Sequence, residues 1–184
     1  MAGAVELTIV VLAAGRSSRF GSNKLLCEIG GDTLLDRALR ACGSYRALVV
    51  ASTEVADAVA AAGKPFVIND APERGMAHSL RLANALIDDA SPIALLPADL
   101  LYVTDAGVAS IVDRSRDVDV TNPVRADGTP GHPVVFSAAA RRYIDELPDG
   151  DTIRQLRDHP GLTRRTVLID EEWPYKDVDV VSDL

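Results

Sequence analysis

LTIVVLAAGRSSRFGSNKLL, Leu7 to Leu26, is the stretch that decides the fold. Its first six residues, Leu7 to Leu12, are continuously apolar and rich in β-branched side chains. Such a run suits a strand buried on both faces, as in a parallel sheet. A basic, glycine-bearing loop follows, in which Gly15 and Gly21 flank Arg16, Ser17 and Arg19, and Lys24 closes the segment. In open α/β sheets, ligands sit outside the carboxyl ends of the strands. Glycine lets the backbone turn so that amide N–H groups point inward, and such a nest attracts phosphate. Arg16, Arg19 and Lys24 set three positive charges within nine residues of a chain that carries 19 Lys and Arg against 27 Asp and Glu, a formal net charge of −8. Neither GxxxxGK(S/T) nor GxGxxG is present, so the loop is not a P-loop or a dinucleotide fingerprint.

Outward from this loop, apolar runs alternate with stretches of helical period. Thr33 to Ala41 follows Asp32, a good N-cap, and sets Leu34, Leu35, Ala38 and Leu39 on one stripe. Ala47 to Ala51, Phe66 to Ile68 and Ile93 to Leu96 read as further strands. Glu54 to Ala62 reads as a helix closed by Gly63, Met76 to Ile87 as another, and Thr104 caps a helix running to about Arg114. Strand–helix alternation over about the first 115 residues predicts parallel strands with right-handed crossovers. The later part is less regular. Val118 to Val120, Pro133 to Phe136 and Thr166 to Ile169 read as strands, and Ala138 to Glu146 and Thr152 to Asp158 as helices. The expected fold is α/β, a three-layer α/β/α sandwich with a Rossmann-like, mostly parallel sheet, forming one domain over residues 1–184.

Composition narrows the function classes. At 47% hydrophobic and 25% charged residues the chain has globular proportions. Its acidity argues against coating nucleic acid, which needs clustered Lys and Arg. A small anionic ligand stays compatible, because one pocket can be positive on an acidic protein. Cys27 and Cys42 form no CxxC or zinc spacing, no basic leader precedes the first strand, and no apolar run reaches the ~20 residues of a membrane span. A cytoplasmic protein with no membrane partner is expected.

LAAGRSSRFGSNKLL resembles the signature LAAGxSxRMGxxKLL of nucleotidyltransferases similar to molybdenum cofactor cytidylyltransferase, whose domain is the MobA-like NTP transferase domain. Gly15, Ser17, Arg19, Gly21 and Lys24 fall in register, and Phe20 replaces the usual Met. Gly75-Met76-Ala77-His78-Ser79-Leu80 resembles the family's GMxxSL element, and Gly128 to Phe136 its GxPGHPVxF element. Asp177-Val178-Asp179 with Asp183-Leu184 resembles its terminal DIDTPEDL. Four elements in order span nearly the whole chain.

The resemblance implies a fold of the nucleotide-diphospho-sugar transferase type and a set of roles. Leu12, Ala13, Ala14 and Gly15 face the base and sugar, with Arg16 and Ser17 in the same loop. Arg19 and Lys24 hold the phosphates, as a guanidinium fork and a point charge. Gly75, Met76 and Ser79 lie against base and ribose, Ser79 being alternatively a helix cap. Asp99 follows a strand where the family has GDMP, and here ADLL keeps the Asp but loses the flanking Gly and Pro. Asp99 is then a Mg²⁺ ligand, joined by Asp179 or Asp177, which share a face of an extended segment. Gly131 and His132 are expected at the acceptor, His132 being alternatively a structural loop residue. Ala14 favours CTP over GTP, because its methyl narrows the base pocket. The implied reaction is CMP transfer from CTP to the phosphate of molybdopterin, with Mg²⁺ as cofactor and a molybdoenzyme as a further partner. Two other readings stay open: another small phosphorylated acceptor, with GTP possible as donor, and a non-catalytic cofactor-binding accessory protein.

Overall fold

The computed structural model describes residues 6–15 and 23–178. In chain order these form β1 (Thr8–Ala13), two short strands β2 (Glu28–Ile29) and β3 (Asp32–Thr33), α1 (Leu34–Ala41), β4 (Arg46–Ala51), α2 (Thr53–Ala61) and β5 (Phe66–Ile68). Then come α3 (Gly75–Asn84), β6 (Ile93–Pro97), α4 (Asp105–Val112), β7 (Val120–Val124), β8 (Val134–Phe136), α5 (Ala138–Arg141), α6 (Ile153–Arg157) and β9 (Arg164–Leu168). Seven strands make one sheet in the order β5-β4-β1-β6-β8-β7-β9, and β2 pairs with β3 alone. β1, β4, β5 and β6 run parallel, with Val10 opposite Leu48 on one side and Leu95 on the other. β8 runs antiparallel to both β6 and β7, and β9 parallel to β7. The sheet is mostly parallel, and the chain has the α/β fold that its sequence predicts.

Burial explains why the apolar runs became central strands. Ile9, Val10 and Val11 are all 0% exposed. Ile9 and Val11 point into one cluster with residues of α1, α2 and α4, whereas Val10 points into a second with residues of α3, α5 and α6. Alternate residues of one strand thus feed two separate cores, and the helices form two outer layers.

Local chemistry moved several boundaries. α1 starts after Thr33 rather than Asp32. The Thr33 hydroxyl accepts from Asp36 N at 3.0 Å, and the Asp36 carboxylate accepts from Thr33 N at 3.0 Å, a reciprocal capping box. Asp32 instead pairs with Arg40 at 2.6 Å. The β2–β3 hairpin was not expected. Its signal is Gly30-Gly31, both at positive φ (65° and 91°), between two extended dipeptides. The helix expected to reach Glu146 stops at Arg141, and turns with three-residue hydrogen bonds continue from Tyr143 N to Ala140 O and Ile144 N to Arg141 O. This tighter winding keeps Ile144 and Leu147, three apart, in the core. β7 begins at Val120, where the expected strand ended, and β9 begins two residues early at Arg164. No helix among the described residues is long and apolar enough to cross a membrane.

Candidate active site

β1, β4, β5 and β6 are parallel, so their carboxyl ends share one edge. The chain leaving each strand stays tied to its neighbour there. Ser52 N donates to Ala13 O at 3.3 Å, Ala98 N to Leu12 O at 3.1 Å and Asn69 N to Ala51 O at 2.9 Å. Leu12, Ala13, Ala14 and Gly15 therefore lie mid-edge, and Asp99 stands two residues past β6. Arg16, Ser17 and Arg19 lie outside the described residues, as does Asp179. Gly15 is exposed and has no positive φ, and among the described residues nothing lies within 4 Å of where a Cβ would be. The Ala14 methyl is 6% exposed and packs in the cluster that holds Val10, Val50, Ala77 and Leu80. It is engaged with the core under α3, where the sequence expectation set it against the base.

Lys24 opens a short 3-10 turn, Lys24–Leu26, which is fixed from both sides. The Asn23 carboxamide oxygen accepts from Leu25 N at 3.1 Å, its amide donates to Glu54 at 2.8 Å, and Leu25 is 3% exposed in the core. The turn aims the Lys24 ammonium at Asp99, with Nζ 2.8 Å from Oδ2. The two side chains are 14% and 24% exposed. Nζ also donates to the main-chain carbonyl of Val178 at 2.6 Å. That carbonyl comes from an extended segment that returns along the Asp99 turn. Leu100 and Asp177 pair antiparallel, Val178 N donates to Asp99 O at 3.1 Å, and Leu101 N to Lys176 O at 2.8 Å. The buried side chains of Leu100, Leu101 and Val178 lock the pairing. They do so without the Gly and Pro that flank this Asp in the family pattern. Residues 24, 99 and 178 thus meet at one point.

The start of α3 closes another side. Gly75 has φ +79°, and a Cβ there would lie 3.0 Å from Gly150 Cα. The backbones are joined by Gly150 N to Arg74 O at 2.8 Å and Ala77 N to Asp151 O at 3.2 Å. Arg74 and Arg81 both pair with Asp149. Met76 is half-buried at this junction. Ser79 is buried mid-helix, so it does not cap α3, whose N-cap is Arg74. Its Oγ accepts from Asn69 Nδ2 at 2.9 Å, while the Asn69 carbonyl oxygen accepts from Ala71 N at 2.9 Å. Asn69 was missed in the sequence. The signal that could have found it is its place immediately after β5, at the carboxyl edge. Ser52, in the same place after β4, has a buried hydroxyl without a hydrogen-bond partner.

On the β8 side, Gly131 and His132 pack against the segment Pro174–Tyr175. A Cβ on Gly131 would come within 2.6 Å of the Tyr175 ring, and His132 N donates to Pro174 O at 2.9 Å. Tyr175 is held by its hydroxyl to Ile169 O at 2.8 Å and by Arg125 stacked 4.4 Å over its ring. His132 Nδ1 is buried and unpartnered. Burial pushes this imidazole down to about 4, against the opposing pull of the Asp99 charge and the Leu95 carbonyl. It is a neutral ring at neutral pH.

Among the described residues no three His, Cys, Asp or Glu side chains converge to hold a metal. Oxygen donors of two kinds do converge on one cation: Asp99 Oδ2 and Val178 O on the Lys24 ammonium. A hard divalent ion takes such donors, usually with one or two carboxylates, substrate phosphates and water. Asp177 is exposed, and alternation along the segment turns its side chain away from that of Val178.

Comparison with known proteins gives the same picture from outside. Residues 9–166 match the model of the MobA-like NTP transferase domain. Over 169 residues the chain is 28% identical to a molybdenum cofactor guanylyltransferase from Rhizobium rhizogenes, covering 86% of this chain and 76% of that one. The crystal structure of Rv0371c from Mycobacterium tuberculosis superposes with a TM-score of 0.82 at 29% identity, covering 97% of this chain and 95% of that one. A complex of Rv0371c with manganese gives a TM-score of 0.78 at 28% identity, covering 97% and 96%. The chain belongs to the MobA-like NTP transferase domain family and is a nucleotidyltransferase.

Proposed function

We propose that the chain transfers CMP from CTP to the phosphate of a molybdopterin-type acceptor, with Mg²⁺ as cofactor and pyrophosphate as leaving group. The observation that carries this reading is the half-buried Lys24–Asp99 pair at the carboxyl edge of the sheet, directly beyond β1 and β6. In such a transfer an acceptor phosphate oxygen attacks the α-phosphorus, and the protein's task is alignment and charge neutralisation. Lys24 supplies a positive point charge at the triphosphate, and Arg19 a guanidinium fork. The main-chain amides of Leu12 to Gly15 border the nucleoside. Asp99 holds the metal, which when bound neutralises charge on the phosphate oxygens. No protein nucleophile is required. Burial pushes the Cys42 thiol up to about 11, and the Ser79 hydroxyl accepts the Asn69 amide's hydrogen bond, so neither is activated for attack. Gly131 and His132 border the acceptor, where a neutral imidazole offers hydrogen bonding without charge. That a solved structure of Rv0371c is a complex with manganese supports a divalent ion as cofactor. The two free cysteines suit a cytoplasmic setting, and a molybdoenzyme is the proposed recipient of the product.

A second reading keeps the acceptor and changes the donor to GTP. It is favoured by the guanylyltransferase relative and by the burial of the Ala14 methyl, which leaves less of it to narrow the base pocket. Pyrophosphate release with molybdopterin, Mg²⁺ and each of CTP, GTP, ATP and UTP decides between them. CTP turnover well above GTP supports the first reading, and the reverse order supports the second. Release with none of the four while the protein is folded would remove molybdopterin as the acceptor.

A further inference from the structure

Building on Asp99 as a metal ligand, we propose that Asp99 Oδ2 and the Val178 carbonyl form an oxygen pair that always holds a cation. In the resting protein the cation is the Lys24 ammonium. A divalent ion takes its place when Lys24 moves away to phosphate.

The geometry sets this up. One ammonium lies 2.8 Å from Asp99 Oδ2 and 2.6 Å from Val178 O, so both oxygens face a common point. Mg²⁺ binds oxygen at about 2.0–2.1 Å, so an ion at that point needs each donor to move by well under ~1 Å. Both donors sit on backbone that is already fixed. Val178 N donates to Asp99 O at 3.1 Å, which sets the Val178 carbonyl relative to the Asp99 turn, and the Val178 side chain is 0% exposed. Lys24, by contrast, reaches the point on a four-carbon stem that can swing. The pair is therefore rigid on its oxygen side and movable on its ammonium side.

Charge then forbids sharing. Two cations on one carboxylate repel strongly in a half-buried setting, where solvent screening is weak. Metal entering the resting site must expel Lys24, and a triphosphate gives the expelled ammonium a place to go. Metal and nucleotide thus assist each other, and Asp99 is never left as a bare, half-buried carboxylate. The Val178 carbonyl is a ligand position that residue type could not reveal.

The test is Mn²⁺ binding to the full chain without nucleotide, followed by the electron paramagnetic resonance signal of free Mn²⁺. Lys24→Met and Lys24→Gln should bind Mn²⁺ about tenfold more tightly than wild type, because a competing charge is gone. Lys24→Arg should stay near wild type, and adding Asp99→Asn to Lys24→Met should abolish the gain. Affinity in Lys24→Met and Lys24→Gln equal to or below wild type overturns the proposal, as does a gain that survives Asp99→Asn. A second readout needs no variant. The ¹⁵Nζ–H resonance of Lys24, shielded by acceptors that include Asp99 Oδ2 and Val178 O, should vanish into solvent exchange on saturation with Mg²⁺, and its persistence overturns the exchange. Neither readout uses turnover, so a failure here leaves the pyrophosphate-release result standing, and the converse also holds.

Discussion

Arg141 and Lys24 are two cations set below the surface, and they are held in opposite ways. Arg141, at the end of α5, is 3% exposed. Its guanidinium has five donors, and five bonds are made. Nε donates to Asn84 Oδ1 at 2.9 Å, Nη1 to Asp88 O and Ser91 O at 2.6 Å each, and Nη2 to Asn84 O at 3.2 Å and Ile87 O at 3.1 Å. Those acceptors are the Asn84 carboxamide and carbonyls from the end of α3 and the loop that follows it, so one side chain ties the helix end to that loop. Its ordinary pKa is drawn down by burial. Lys24 has a compact head, a flexible stem and a carboxylate partner open to solvent on one side. The saturated cation builds the frame, and the one with a flexible stem is the one to which the proposal gives the chemistry.

The contrast breaks first at Arg141. Arg141→Ala orphans a set of buried oxygens and should cost about 3–5 kcal/mol of stability by urea unfolding. Arg141→Lys, with three donors for five positions, should recover only part of it. A neutral result for Arg141→Ala would mean the helix end finds water instead. Next, Lys24→Ala and Asp99→Ala should each lower turnover by about 10²–10³ fold, with thermal melting close to wild type. Wild-type pyrophosphate release in both would move the site elsewhere, and a collapse of stability would make Lys24 a frame residue like Arg141. A smaller effect tests the wall of the acceptor side. Gly131→Ala forces a Cβ to within 2.6 Å of the Tyr175 ring and should cost about 1–3 kcal/mol in calorimetry. The smallest effect concerns a third basic side chain, which avoids charge altogether. His132 in the folded protein stays neutral down to about 4, whereas the unfolded chain takes its proton near 6.5. Unfolding therefore takes up a proton between those values, and stability falls as pH drops through that window. His132→Gln should flatten this part of the profile in melts run from neutral pH downward. An unchanged slope would show that the ring is already charged when folded.

The same contrast explains what could be read in the sequence. Asp99 was legible because it stands two residues past an apolar strand, where sheets of this class bind ligands, and Lys24 because it closes a basic, glycine-bearing loop that resembles a family signature. The stripe of α1 and the two-faced burial of β1 were legible from spacing alone. Arg141 was not, because Arg141-Arg142 on a short helix looks like a solvated face, and nothing local reveals that a helix end over 50 residues earlier needs donors. The Val178 carbonyl was invisible for a deeper reason: main-chain oxygens are present at every position, and only tertiary pairing singles one out. The resemblance sets Ala14 and Ser79 toward the ligand, while packing against α3 and the bond from Asn69 engage them inward, which no motif reveals. The antiparallel β8 was hidden by brevity, since three apolar residues carry no direction.

The contact between Lys24 and Val178 joins residues 154 apart in the chain. For a protein made from its N-terminus onward, this has a consequence in time. The turn that carries Lys24 is synthesised early, yet its bond to the Val178 carbonyl cannot form until residue 178 has left the ribosome. A growing chain can pair Lys24 with Asp99 as soon as residue 99 has emerged, and the Val178 carbonyl joins them only later.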